Sequence, residues 1–480
     1  MNRTLINSFS TLIFSLSLVA CTGVSEELAN LSLGTPTVPT DVTDTGTDTS
    51  DTDTSTDIDV VRNKSCTDLY YSNFALVEGQ DASPIQVFAK PAKGASALDP
   101  TYGSCMTRVT DHANEPPSGF ARNDYARRQA FNADESKVLV YALDGFWHIY
   151  DAINYQYIKK LNLGGSDVEP QWSPTEPDVL FKFPMNGGMT IQKYNVVTDQ
   201  TTTVTDFRNV ASIYGHAGST DIRDIWPTAA RIWTKSEGSP SKDARYWGLQ
   251  VETSSFGILG MITYDMQTNT ITGVYDLSGK PRPDHISMSP TGEYVIPSWY
   301  SDFNSCNGTS TSNPCGLMSY TRDFSQAVRL AATGEHSDIA LDAAGNDVVV
   351  MSNYRTGWLE AYDVATGQVT NLWNMYVNGA ATALHVSGKA YNKPGWVLIS
   401  TYATSGGTRW YTNKIMAVEI AANPRILNIS HTYHKDKGYW TEPHAVVNRD
   451  FTRILFNSNW HEDTDKVDAY MIDIPANALD

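Results

Sequence analysis

The chain has 480 residues, a formal net charge of −18, 41% hydrophobic and 11% aromatic residues, and five cysteines. So acidic a balance excludes a nucleic-acid partner gripped through its phosphates. The chain also holds no Ser-centred nucleophile elbow, phosphate loop or dinucleotide fingerprint, which excludes the reaction classes built on them.

The first element is a leader. Arg3 precedes an apolar run from Thr11 to Ala20, well short of the roughly 20 residues a membrane helix needs. Leu18-Val19-Ala20 before Cys21 match the box cut by bacterial lipoprotein signal peptidase, so residues 1–20 are expected to be removed and Cys21 to carry the lipid. An ordinary secretory peptide would also place the mature protein outside the cytoplasm. Thr22 lacks the aspartate of inner-membrane retention. The expectation is an outer-membrane lipid anchor, with no other membrane contact and a monomeric body. Residues 21–62 read as a tether: from Thr40 to Val60 the chain repeats Thr, Asp, Ser and Gly without a basic residue, a composition that stays solvated and extended.

From residue 63 to 480 the chain is rich in Thr, Val and Tyr and nearly free of helical periodicity, so one all-β domain is expected. Without Cys21, four cysteines remain in an oxidising compartment. The expected pairs are Cys66 with Cys105, pinning the N-terminal segment, and Cys306 with Cys315, closing a short polar loop. A metal-thiolate cluster lacks the C-x-x-C spacing it would use.

A degenerate unit recurs through this domain: a short strand, a tight polar turn, then a strongly apolar strand. Its turn markers are Asn132, Ser173, Thr228, Ser289, Asp342, Ser387 and Asn448, spaced by 41, 55, 61, 53, 45 and 61 residues. These intervals suit four-stranded propeller blades, and a third strand ends in Tyr150-Asp151, Tyr264-Asp265 and Tyr362-Asp363. The predicted fold is a seven-bladed β-propeller. Its last repeat has only three strands, so the strand Met106-Thr107-Arg108-Val109-Thr110 is expected to complete it and remove the free edges.

Three segments, Arg128 to Asp134, Gln171-Trp172-Ser173-Pro174, and Glu442-Pro443-His444 through Trp460, resemble the propellers of the TolB-like, oligogalacturonate lyase and ulvan lyase group. The resemblance implies an exported enzyme that cleaves a uronate-bearing polysaccharide by β-elimination, with a metal held by histidines at the channel mouth. The chain departs from the oligogalacturonate pattern in lacking a close His pair with a nearby Gln.

First strands of propeller blades line the channel, so residues just before each marker converge. Four residues ahead of markers stand Arg128, Glu169, Asp224, His285, Asp338 and His444; His336 and His385 share those strands at even offsets, hence the same face. His285, His336, His385 and His444 are therefore the candidate ligands for a divalent ion such as zinc, manganese, copper or calcium, or else separate polar fillers of the channel; no organic cofactor is expected. Elimination beside a uronate needs carboxylate neutralisation, proton abstraction and protonation of the leaving oxygen. Arg128 or Arg223 is assigned the first, His216 between two glycines the second, and Tyr125 the third. Arg223 pairing with Asp221 or Asp224 is the structural alternative. His148, among apolar neighbours, reads as packing. The functional expectation is a surface lyase for an acidic, ulvan-like polysaccharide, with a non-catalytic glycan- or protein-binding propeller as the alternative.

Overall fold

A computed structural model describes residues 66–235, 237–299, 306 and 313–480. The leader, Cys21 and the acidic tether, with their expected processing and lipidation, lie outside the described residues. Among the described residues no helix is long and apolar enough to cross a membrane.

Nearly all of the regular structure is antiparallel sheet, and the domain is a β-propeller. Among the described residues there are six sheets, of which the largest has nine strands. That sheet holds two four-stranded sets. One contains Ala121–Arg122, Lys137–Ala142, Trp147–Asp151 and Tyr157–Lys160; the other contains Val446–Val447, Arg453–Ser458, Asp468–Asp473 and Cys105–Arg108. A single parallel pair, Asp468 with Ala121, joins them. We read them as two neighbouring blades. The strand from the N-terminal side pairs as expected: Cys105, Met106, Thr107 and Arg108 lie antiparallel to Asp473, Ile472, Met471 and Tyr470. Both expected disulfides are present, Cys66–Cys105 and Cys306–Cys315.

Most turn markers share one bond. The side-chain oxygen at the marker accepts from an N–H at the start of the second strand: Asn132 from Lys137 (2.9 Å), Ser289 from Tyr294 (3.1 Å) and Asn448 from Arg453 (2.9 Å), each the strand's first residue, and Asp342 from Asn346 (2.8 Å), the residue before it. Short polar side chains that cap their own backbone explain why Asn, Ser and Asp occupy these positions. The bond also corrects one marker. In the third blade Ser241, not Thr228, accepts from the N–H that opens the next strand, Tyr246 (2.9 Å). Arg231–Trp233 is the inner strand of that blade, pairing with Tyr246–Glu252. Residues 207 to 230 form an insertion whose short strand Ser212–Ile213 runs parallel to the blade's outermost strand, Thr270–Asp276. The Trp226-Pro227 pair of the insertion imitates in sequence the Trp172-Ser173-Pro174 turn.

Second strands are buried on both faces, as in Asp347–Asn353, because blades stack face to face. Aromatic rings fill the space between them, as where Trp247 meets Phe181 and Phe183 edge-on at 5.8 Å. Near the channel the backbones approach so closely that a Cβ on Gly238 would lie 1.9 Å from the Ile286 carbonyl oxygen.

Candidate active site

The inner strands bring His336, His385 and His444 together, as their position predicted. His336 Nδ1 lies 3.0 Å from His385 Nδ1, and the His385 and His444 rings stack with centroids 4.1 Å apart. Glu442 completes the group, with its Oε2 2.7 Å from His385 Nε2 and 3.5 Å from His444 Nε2. The ring of Tyr402 stacks on His385 at 4.7 Å. Burial holds the His336 and His385 rings down to about 3 and His444 well below its ordinary value, so all three are neutral with lone pairs available. The same burial raises Glu442 to about 7.

The donor set fits a metal ion. His385, Glu442 and His444 each offer one ligand atom within 4.8 Å of the others. His444 is fully buried, yet neither of its ring nitrogens makes a hydrogen bond. Buried polar atoms are nearly always satisfied, and a divalent ion would satisfy these. Imidazole and carboxylate together suit manganese or zinc.

His285 does not join this group. Its Nε2 is 2.6 Å from Arg127 Nη1 and its Nδ1 is 3.3 Å from Asp284 Oδ2, while Arg127 Nη2 pairs with Glu237 at 2.7 Å. A carboxylate beside Nδ1 fixes the proton there, leaving the Nε2 lone pair toward Arg127. Asp284 is held far below the usual carboxylate range by His285 and Lys235. Tyr125 sits between the two groups: its hydroxyl is 3.4 Å from His336 Nδ1 and 3.5 Å from Arg127 Nη2, and its ring packs on His385 and His444. Burial pushes its phenol far up, so it stays protonated.

The other assigned residues are elsewhere. His216 and Arg223 belong to the insertion beside the outer edge of the third blade, where His216 lines a surface groove with Tyr214, Trp226 and Asp276. Arg223 is half exposed and pairs with Asp221; none of its bonds reaches the histidines. Asp224 lies in a short helical turn of the same insertion. Arg128 is buried between blades, its Nε donating to Asp124 (3.0 Å) and its Nη1 to the Pro170 carbonyl (2.8 Å), which makes it a packing residue. Asp338 pairs with Lys389 at 2.9 Å. His148 bonds Tyr157 and Asp144 within its own blade.

Three functional candidates were missed. Glu237 stands four residues before Ser241, so the corrected marker would have found it. Glu442 closes the short helical turn Tyr439–Thr441 two residues before His444, a placement the strand pattern does not give. Arg122 gives no sequence signal: its guanidinium lies 4.6 Å from the Trp440 ring and 5.4 Å from Tyr439, is buried, and among the described residues donates to the carbonyls of Asn123 and Asp124.

No protein-family model matches the chain, and no curated protein matches its sequence. Solved structures do match its shape. An oligogalacturonate lyase in complex with manganese superposes with a TM-score of 0.55 at 14% identity, covering 81% of this chain and all of that one. The oligogalacturonate lyase of Vibrio parahaemolyticus superposes with a TM-score of 0.52 at 12% identity, covering 80% and 99%. At such identities the likeness is one of architecture, and by it the chain is a β-propeller of the type that oligogalacturonate lyases adopt.

Proposed function

We propose that the protein is a polysaccharide lyase that breaks a uronate-containing chain by β-elimination, the ulvan class being the substrate first to test, and that it acts at the cell surface on a lipid anchor through Cys21. The observation that carries this reading is the cluster itself, where buried His385 and His444, with partly buried His336 and Glu442, face a protonated tyrosine and two guanidinium groups. A divalent ion held by His385, Glu442 and His444 would draw charge from the uronate carboxylate and so acidify the proton beside it.

The remaining chemistry falls to the chain. Arg122 has no carboxylate partner among the described residues and an aromatic bed beneath it, so it suits an incoming carboxylate. Arg127 can turn from both Glu237 and His285 toward the same group, which frees His285 Nε2 to take the C5 proton in place of His216. The electron pair left at C5 forms the C4–C5 double bond as the C4–oxygen bond breaks, and Tyr125 gives its proton to the departing oxygen. Withdrawing the proton and the anion into a buried site strengthens each of these interactions.

The test is absorbance near 235 nm, where the unsaturated uronate absorbs, with ulvan, pectate, alginate and glucuronan as substrates and manganese or zinc supplied. A rise on one glycan, abolished by His444→Ala together with loss of protein-bound metal, is the expected result. Flat traces on every glycan with metal bound would refute the lyase and leave a propeller that binds a glycan or protein partner.

A further inference from the structure

The inner strands end at a second place of distinct chemistry. Gln129, Gln171, Lys242, Lys389, Tyr391 and Arg449 line a cavity of about 400 Å³, open solvent included. In the repeat they stand from three residues before the marker to four after it. His336, Glu442 and His444 stand four to six residues before their markers and His385 two before, whereas four of the six cavity residues follow theirs, so the cavity lies further along the inner strands than the histidine group.

Its charge runs against that of the protein. Lys389 is buried, and Asp338 neutralises it at 2.9 Å. The other two cations have no such partner. Arg449 is partly buried, donates to the Asn132 carbonyl at 3.2 Å, and forms no ion pair among the described residues. Desolvation lowers its guanidinium from the ordinary value despite the nearby Glu135, Tyr391 and Asp450. Both of those carboxylates are engaged elsewhere, Glu135 by Asn448 (2.9 Å) and Asp450 by Asn392 (2.7 Å). Lys242 is exposed at the rim and likewise makes no ion pair among the described residues. In a chain of net charge −18, carboxylates are plentiful, and a desolvated guanidinium is ordinarily given one. Here two cations without an ion pair among the described residues face one cavity, above a third that Asp338 balances; Glu135 and Asp450 act on Arg449 only at a distance, as Asp347 does on Lys242.

We propose that this cavity binds an oxyanion, gripped by Arg449 and Lys242, with the Lys389 ammonium and the Tyr391 hydroxyl at its base. Arg449 offers the planar fork that matches two oxygens of a carboxylate, sulfate or phosphate, and Lys242 adds a mobile point charge. Two sources share this chemistry: a free inorganic oxyanion, and the acidic group of a sugar residue. The site does not depend on the lyase reading, since none of its residues belongs to the histidine group.

Titration calorimetry of the full chain at constant ionic strength tests it, with sodium sulfate and sodium galacturonate as separate probes. Saturable binding of at least one is expected, weakened tenfold or more in Lys242→Gln/Arg449→Gln and retained in His444→Ala. Sulfate binding alone assigns the inorganic source; galacturonate binding lost in the double variant assigns the sugar. Binding of neither probe would overturn the proposal. So would a double variant that melts like the parent and binds as tightly, or a response lost in His444→Ala instead, which would move the anion to the histidine group.

Discussion

Replacing Asp468 with Asn is expected to loosen the join between first and last blades. The carboxylate is wholly buried beside the single strand pair joining those two blades. It accepts from Arg108 Nη2 (2.8 Å), Thr110 Oγ1 (3.2 Å) and the His112 N–H (2.8 Å), and its Oδ2 lies 3.1 Å from His112 Nδ1. Asparagine keeps the shape but turns a donor toward donors and removes the charge. Breaking a buried ion pair on one side costs about 3–5 kcal/mol. Arg108 keeps Asp111 at 2.8 Å, which favours the lower end. With unfolding entropy near 2.1 cal/mol/K per residue, roughly 415 residues give about 0.9 kcal/mol/K, so about 3 kcal/mol lowers Tm by roughly 3–4 °C. Asp468 is held below the usual carboxylate range chiefly by its hydrogen bond and charge contacts with His112 and Arg108, which outweigh the effect of burial. A depressed carboxylate stabilises the fold fully above its unfolded value near 4 and progressively less as pH falls through the folded value. Differential scanning calorimetry should thus show a constant gap between parent and variant from pH 5 to 8 that narrows below pH 4. Equal melting of the two at pH 7 would refute the argument.

Two further outcomes concern stability. Cys66 and Cys105 close a loop with a sequence separation of 39, for which chain entropy gives about 4 kcal/mol, so Cys66→Ser/Cys105→Ser should lower the chemical-denaturation free energy by up to that amount with little change in m. Burial lowers Lys414 to about 8 despite its bond to Asn428 (2.7 Å). Between about pH 8 and 10.4 the unfolded chain then binds more protons than the folded one, so this residue makes stability rise with pH, by roughly 3 kcal/mol over the window. Urea titrations at pH 7.5 and 10 should show that the rise is larger in the parent than in Lys414→Met; an equal rise would refute the assignment.

The repeating unit was legible because each blade solves the same local problem. A capping Asn, Ser or Asp, a tight turn and a β-branched strand recur wherever an inner strand hands over to its neighbour, and their spacing implies blades and a last blade completed from the other end. Both cysteine pairs followed from parity and loop chemistry. Position on the inner strands likewise placed His336, His385 and His444 at one mouth, since blade order alone carries strand heads to the axis. Only the tertiary structure separated His285 from them, because residues at equal offsets still face different sectors of the channel. It also moved His216 and Arg223 to the outer edge, because the insertion of residues 207 to 230 mimics a blade turn in sequence while packing beside the outermost strand. Arg122 and Glu442 acquire their meaning from rings and imidazoles brought in by distant segments. Local pattern records how a chain pairs with its near neighbours; which side chains meet across a channel depends on the closure of the ring, to which every blade contributes.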